Sequence, residues 1–172
     1  MSIVLDGTTG VTTPGLSSTG IITPGQTTGI VGTTTNNNVQ AGSVGEYISS
    51  TVSDVSAVSM SNGTTVNVTS ISLTAGDWDV SGSVAFSQPG TTNVTNLVAA
   101  VNSSSATLPN TDERSVAYIA AAGIVLQQEP SLKIIPTRYA LSGTTTIYLV
   151  AYANFSISTL KAYGRISARR VR

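Results

Sequence analysis

Leu73-Thr-Ala-Gly-Asp-Trp-Asp-Val-Ser-Gly-Ser-Val-Ala-Phe86 is the stretch on which the reading of this chain turns. After the Ala75-Gly76 turn, Trp78, Val80, Gly82, Val84 and Phe86 fall on one side, and Asp77, Asp79, Ser81, Ser83 and Ala85 on the other. That is the period-two pattern of a half-buried β-strand. Trp78 is the only tryptophan, so the largest apolar side chain in the protein is committed here. The stretch predicts the centre of an all-β sandwich with Trp78, Val80, Val84 and Phe86 in its core.

Further strands are predicted on both sides, at about 46–52, 54–59, 65–73, 94–103, 115–124, 132–141, 145–156 and 160–171. Turn signals separate them: Ser61-Asn62-Gly63, Pro89-Gly90, Leu108-Pro109-Asn110, Glu129-Pro130 and Ser142-Gly143. Strands of this number and punctuation point to an antiparallel sandwich of jelly-roll type. No helix is required, although 116–123 could form a short one. In 65–73 the parity slips between Val66 and Val68 on one face and Ile71 and Leu73 on the other, which a bulge near Thr69-Ser70 would repair. In the last strand Leu160, Ala162, Gly164, Ile166 and Ala168 alternate with Lys161, Tyr163, Arg165, Ser167 and Arg169.

Residues 1–40 differ from the rest. Thr9-Gly-Val-Thr-Thr-Pro-Gly15 returns as Thr19-Gly-Ile-Ile-Thr-Pro-Gly25, and a degenerate copy opens at Thr28. Each copy reads as a short β-branched strand closed by a Pro-Gly turn. Units this short gain stability only by stacking on neighbours, here on another copy of the chain. A flexible linker is the competing reading. The expected division is therefore an N-terminal segment at 1–40 and a jelly-roll domain at 41–172.

Composition narrows the function classes. Charged residues make up 9% of the chain, against roughly 25% in an ordinary soluble domain, so part of the surface is expected to be covered by other chains. There are no cysteines and no histidines, which removes disulfides, thiolate and imidazole metal ligands, and the usual nucleophile triads. No enzyme, metal or cofactor is expected. Neither a secretory signal nor an apolar run of membrane-spanning length is legible, so no membrane insertion is expected. Residues 1–113 carry seven acids and no base, while 114–172 carry eight bases and only Glu129. The two parts are expected to neutralise each other across strands or between subunits.

Two further features imply particular contacts. Asp77 and Asp79 stand roughly 7 Å apart on one strand face, read as solvent-facing carboxylates with a cation or sugar contact as the alternative. Arg165, Arg169, Arg170 and Arg172 are read as partners for the acids. Binding to nucleic acid or anionic glycans is the alternative, and nucleic acid is not expected.

The segments Val68–Phe86, Ile147-Tyr-Leu-Val-Ala-Tyr152 and Ala162-Tyr-Gly-Arg-Ile-Ser-Ala-Arg-Arg-Val-Arg172 resemble the C-terminal domain of tailed-bacteriophage fibre and virion proteins. They are also loosely similar to the trimeric jelly-roll heads of tumour-necrosis-factor and complement type. Leu5-Asp-Gly-Thr-Thr-Gly-Val-Thr-Thr-Pro-Gly15 is similar to the opening segment of many phage tail proteins, where it attaches the protein to the particle. The resemblance implies a homotrimer assembled in the host cytoplasm and carried on the virion, in contact with other virion proteins. As a tail fibre or spike it would face a host cell-surface glycan or protein; the alternative is a capsid decoration or head-fibre protein. Tyr148, Tyr152, Tyr163 and Arg165 are trimer-interface candidates, with sugar stacking as the alternative for the three tyrosines, and on the resemblance Leu5, Val11, Pro14, Ile21 and Pro24 are attachment candidates.

Overall fold

The computed structural model describes residues 34–88, 90–119, 124–125 and 129–172. The repeats, with Leu5, Val11, Pro14, Ile21 and Pro24, lie outside the described residues. One compact unit runs from Asn37 to Arg172.

Its strands are β1 (Tyr47–Val52), β2 (Val58–Ser59), β3 (Val66–Leu73), β4 (Gly76–Ser87), β5 (Asn93–Asn102), β6 (Arg114–Tyr118), β7 (Ile124–Val125), β8 (Ser131–Leu141), β9 (Thr145–Ser156) and β10 (Lys161–Arg170). They build an all-β sandwich of two antiparallel sheets. Sheet I has the order β1-β10-β4-β8, with β2 also on β10; sheet II has the order β3-β9-β5-β6, with β7 also on β5. The first and last strands are neighbours, and among the described strands the chain crosses between sheets at every connection except β1–β2, β5–β6 and β6–β7. That winding is the double Greek key of a jelly roll.

Three local expectations change. The strand expected at 54–59 is a 3-10 turn, Asp54–Ser56, followed by the two-residue β2. The strand expected over 115–124 ends at Tyr118, so 116–118 are extended rather than helical. The bulge in β3 falls between Asn67 and Thr69, slightly earlier than expected, and it turns Val66, Val68, Ile71 and Leu73 toward one core.

The core lies between the sheets. Trp78, Val80, Val84 and Phe86 on β4 are fully buried; with Ile166 on the neighbouring β10 they face Leu97, Ile147 and Leu149 of sheet II. Burying a large side chain here contributes roughly 1.5–3 kcal/mol each before ordering costs. Both open sides are tied by hydroxyls: Ser50 shares a 2.6 Å hydrogen bond with Thr69 between β1 and β3, and Ser115 donates to the Lys133 carbonyl between β6 and β8. Gly164 leaves no room for a side chain against β4, since a Cβ there would lie 2.0 Å from the Ser83 carbonyl oxygen.

The sandwich has two unlike ends. At one, residues 38–46 enter beside the C-terminus: Gly45 N–H donates to the Arg170 carbonyl, and Asp77 N–H to that of Arg172. At the other lie the connections that follow β1 and β9, beside the ends of β4 and β6.

Candidate functional site

Alternation along each strand and the register between strands decide which side chains share a surface. On the outer face of sheet I, Thr51, Arg165, Ser83 and Lys133 form one row across four strands. The next row holds Ser49, Ser167 and Ser81, and the one beyond it Tyr47, Arg169, Asp79 and Arg138. Small hydroxyl side chains therefore form a floor between basic ones.

Arg165 is held over this floor. Its Nη2 donates to the Tyr47 hydroxyl at 2.7 Å, and the guanidinium carbon lies 5.9 Å from the Tyr47 ring centre, within cation–π range. A shallow hollow of about 240 Å³ opens between Tyr47, Arg165 and Lys133, with Ser81, Ser83 and Ser167 beneath. A second hollow, of about 550 Å³, shares Arg165 and Ser83 with the first and continues to Tyr163, Glu129 and Asp54. There the Tyr163 hydroxyl donates to Glu129, which lowers the pKa of that carboxyl and pushes the phenol up to about 12. Among the described residues, neither Arg165 nor Lys133 has an acidic partner.

Sheet II has a different outer face. Tyr148, Val150, Tyr152 and Asn154 on β9 adjoin Asn96, Val98 and Ala100 on β5, and these adjoin Val116 and Tyr118 on β6. Its described strand positions carry one charge, Arg114 at the edge; Val98, Ala100 and Val150 are buried there, Tyr148 and Tyr152 are half-buried, and Tyr118 is 80% exposed. The four trimer-interface candidates are therefore split. Tyr148 and Tyr152 stand on sheet II, whereas Tyr163 and Arg165 stand on the opposite surface of the sandwich. Tyr47, Tyr118 and Lys133 complete these surfaces and were not singled out from sequence. Strand parity marks each as inward or outward, but only the pairing of distant strands shows what each one joins.

The acids and bases of the two chain halves meet at the end where the C-terminus lies. Arg170 is buried on the core side, its Nε 3.0 Å from Glu46 Oε2. Asp77 is buried rather than solvent-facing, because Arg138, at 2.8 Å, and Arg172 both bond its Oδ2. Asp79 is exposed, so the two carboxylates do not form an acid pair. Among the described residues no group of three or more His, Cys, Asp or Glu side chains is placed to hold a metal.

The far end displays apolar residues. Val55, in the turn after β1, is 95% exposed, and Ile157, between β9 and β10, is 77% exposed. Ile157 also adopts φ +78°, a conformation that a β-branched residue rarely takes.

No family model matches this chain, and no curated protein matches it. Solved structures with some likeness include the infectious bursal disease virus VP2 subviral particle, at TM-score 0.38 and 12% identity over 74% of this chain and 30% of that one. Another is the structure of the Gx strain of the same virus, at TM-score 0.37 and 12% identity over 75% and 30%. The chain thus spans about 30% of the length of these proteins, and the likeness is too slight to bear on what it does.

Proposed function

We propose that this chain is a non-enzymatic structural protein of a tailed-bacteriophage particle. It is a homotrimeric tail fibre or spike in which residues 1–40 attach to the virion and the jelly roll, 41–172, is presented to the host surface. The observation that carries the reading is the polarity of the sandwich. Residues 38–46 enter at one end, where Val44 is itself exposed, and the opposite end displays the more exposed Val55 and Ile157. A domain tethered at one pole offers the other to whatever approaches. The sequence resemblance at 68–86, 147–152 and 162–172 supplies the phage context.

The contrast between the two faces supports the trimer. Protein interfaces are depleted of charge and enriched in tyrosine, which describes the outer face of sheet II with Tyr118, Tyr148 and Tyr152. The three-fold contact is assigned to that face. Tyr163 and Arg165, on the charged face, are left to solvent, because burying Arg165 without an acid would cost several kcal/mol. Three copies would raise the avidity of a weak receptor site.

Electron microscopy of virions labelled with an antibody against the protein tests the reading. A few copies at the tail are expected. Hundreds over the head would replace the fibre with a capsid decoration protein, and absence from particles would overturn both. Deleting residues 1–40 is expected to leave a folded trimer that no longer joins particles; continued incorporation would place the attachment elsewhere.

A further inference from the structure

We infer that the outer face of sheet I binds an anionic saccharide, with its acidic group between Lys133 and Arg165 and its neighbouring neutral sugar along the second hollow toward Tyr163. The inference rests on the receptor-binding reading for its biological use, and the binding itself is a property of this face.

Arg165 and Lys133 flank Ser83 on its two neighbouring strands, about 10 Å apart from strand to strand. Both are exposed, and both rise beside a floor of serine hydroxyls that can donate and accept hydrogen bonds with sugar hydroxyls. Arg165 commits one nitrogen to Tyr47 and keeps its other N–H donors for a ligand. A guanidinium held this way matches a carboxylate or sulfate in two-point geometry, and Lys133 adds a second positive charge.

The charge pattern selects the kind of anion. The first hollow is lined by two bases and no acid. The second, two residues further along β10, brings Glu129 and Asp54 against Tyr163. Phosphates or uronates repeated at every unit would meet those carboxylates and be repelled, which disfavours nucleic acid and uniformly charged polymers. A chain in which an acidic sugar is followed by a neutral one meets bases first, then hydroxyl, aromatic and acceptor groups. A bare inorganic anion would use only the first hollow.

Calorimetry on the full-length protein tests this with a tetrasaccharide in which glucuronate alternates with N-acetylglucosamine. The controls are the neutral N-acetylglucosamine tetramer, a galacturonate tetramer and sodium sulfate. The alternating probe is expected to bind at least tenfold more tightly than either tetramer control. Lys133→Gln and Arg165→Gln are each expected to weaken it by roughly tenfold, the loss of one charged hydrogen bond. Unchanged melting temperatures and oligomeric mass in both variants would assign that loss to binding.

Equal affinity for the neutral tetramer, or variants that bind as the parent does, would overturn the inference. So would displacement of the probe by sulfate at equal concentration, which would mean an adventitious ion only. No binding by the parent, together with dissociation of the Arg165→Gln oligomer, would also overturn it and make the face a contact between copies. Microscopy of virions reads location independently, so failure to bind sugar leaves the fibre assignment standing, and failure of that assignment leaves the binding result intact.

Discussion

The guanidinium carbon of Arg170 lies 4.3 Å from the centre of the Trp78 ring, and the two residues are register partners on β10 and β4. The cation caps the core's largest side chain, while its nitrogens bond Glu46, the Ala75 carbonyl and the Thr74 hydroxyl. The space is tight: a Cβ on Gly76, at φ +136°, would stand 2.0 Å from Arg170 Nη1. Removing one member of such a pair strands the other charge. Arg170→Met is expected to cost about 3–5 kcal/mol, and adding Glu46→Leu should recover most of that loss, because an apolar pair needs no compensation. Urea unfolding of both variants and the double variant checks this; additive losses would mean the two charges act independently.

Trp78 carries a second load. It is fully buried, and its indole N–H donates to the Thr74 carbonyl at 2.9 Å, so it ties the turn before β4 to the core. Trp78→Ala should destabilise the domain by about 3–5 kcal/mol, the scale for truncating a buried aromatic. Trp78→Phe should cost less, because it keeps the ring and loses the hydrogen bond. A loss below about 1 kcal/mol for the alanine variant would mean the core closes over the gap.

Acid should loosen the end where the C-terminus lies, because two carboxyls held below their ordinary pKa sit there. The Gly42 N–H, and then Arg170, hold the Glu46 carboxyl below its ordinary value of 4.5. Hydrogen bonds from Arg138 and then Arg172 hold Asp77 below 3.8. A carboxyl whose pKa is lower in the folded state binds fewer protons there than when unfolded. Its contribution is therefore complete above the unfolded value and fades as pH falls through the folded one. Stability is expected to be flat from neutral pH to about 5 and to decline below about 4.5, with a shallower decline in Glu46→Gln. Chemical denaturation across that range checks it; stability that rises on acidification would contradict the assignment of these two groups.

Parity made much of this fold readable in advance. The alternation through β4, β9 and β10 identifies which residues face the core. Arg170 was legible too, since it continues the inward series that ends at Ala168, but the basic residues around it invite a single exposed cluster. Asp77 was not. Its parity is outward, and it is buried because Arg138 reaches from β8 and Arg172 from beyond the last strand, contacts that no local pattern encodes. The two candidate surfaces failed to emerge for a related reason. Alternation assigns a side of a strand but not the sheet to which that strand belongs, so Tyr148 and Tyr163 look equivalent in sequence and lie on opposite faces of the molecule.

Ile157 offers a test in which two opposed terms are both known in size. A left-handed conformation costs a residue with a side chain about 1–2 kcal/mol, and Ile157 holds φ +78°. Glycine removes that strain but loses more conformational entropy on folding, about 0.5–1 kcal/mol. With the side chain 77% exposed, little packing is lost. Ile157→Gly should therefore be neutral or stabilising, by up to about 1.5 kcal/mol, which a thermal melt reads directly. If the same variant reduces adsorption of particles to host cells, the strained isoleucine is a contact residue at the outward tip. A destabilisation of 1 kcal/mol or more would mean instead that Ile157 packs against something its exposure in this chain does not reveal, and that would move the outward pole away from the β9–β10 turn.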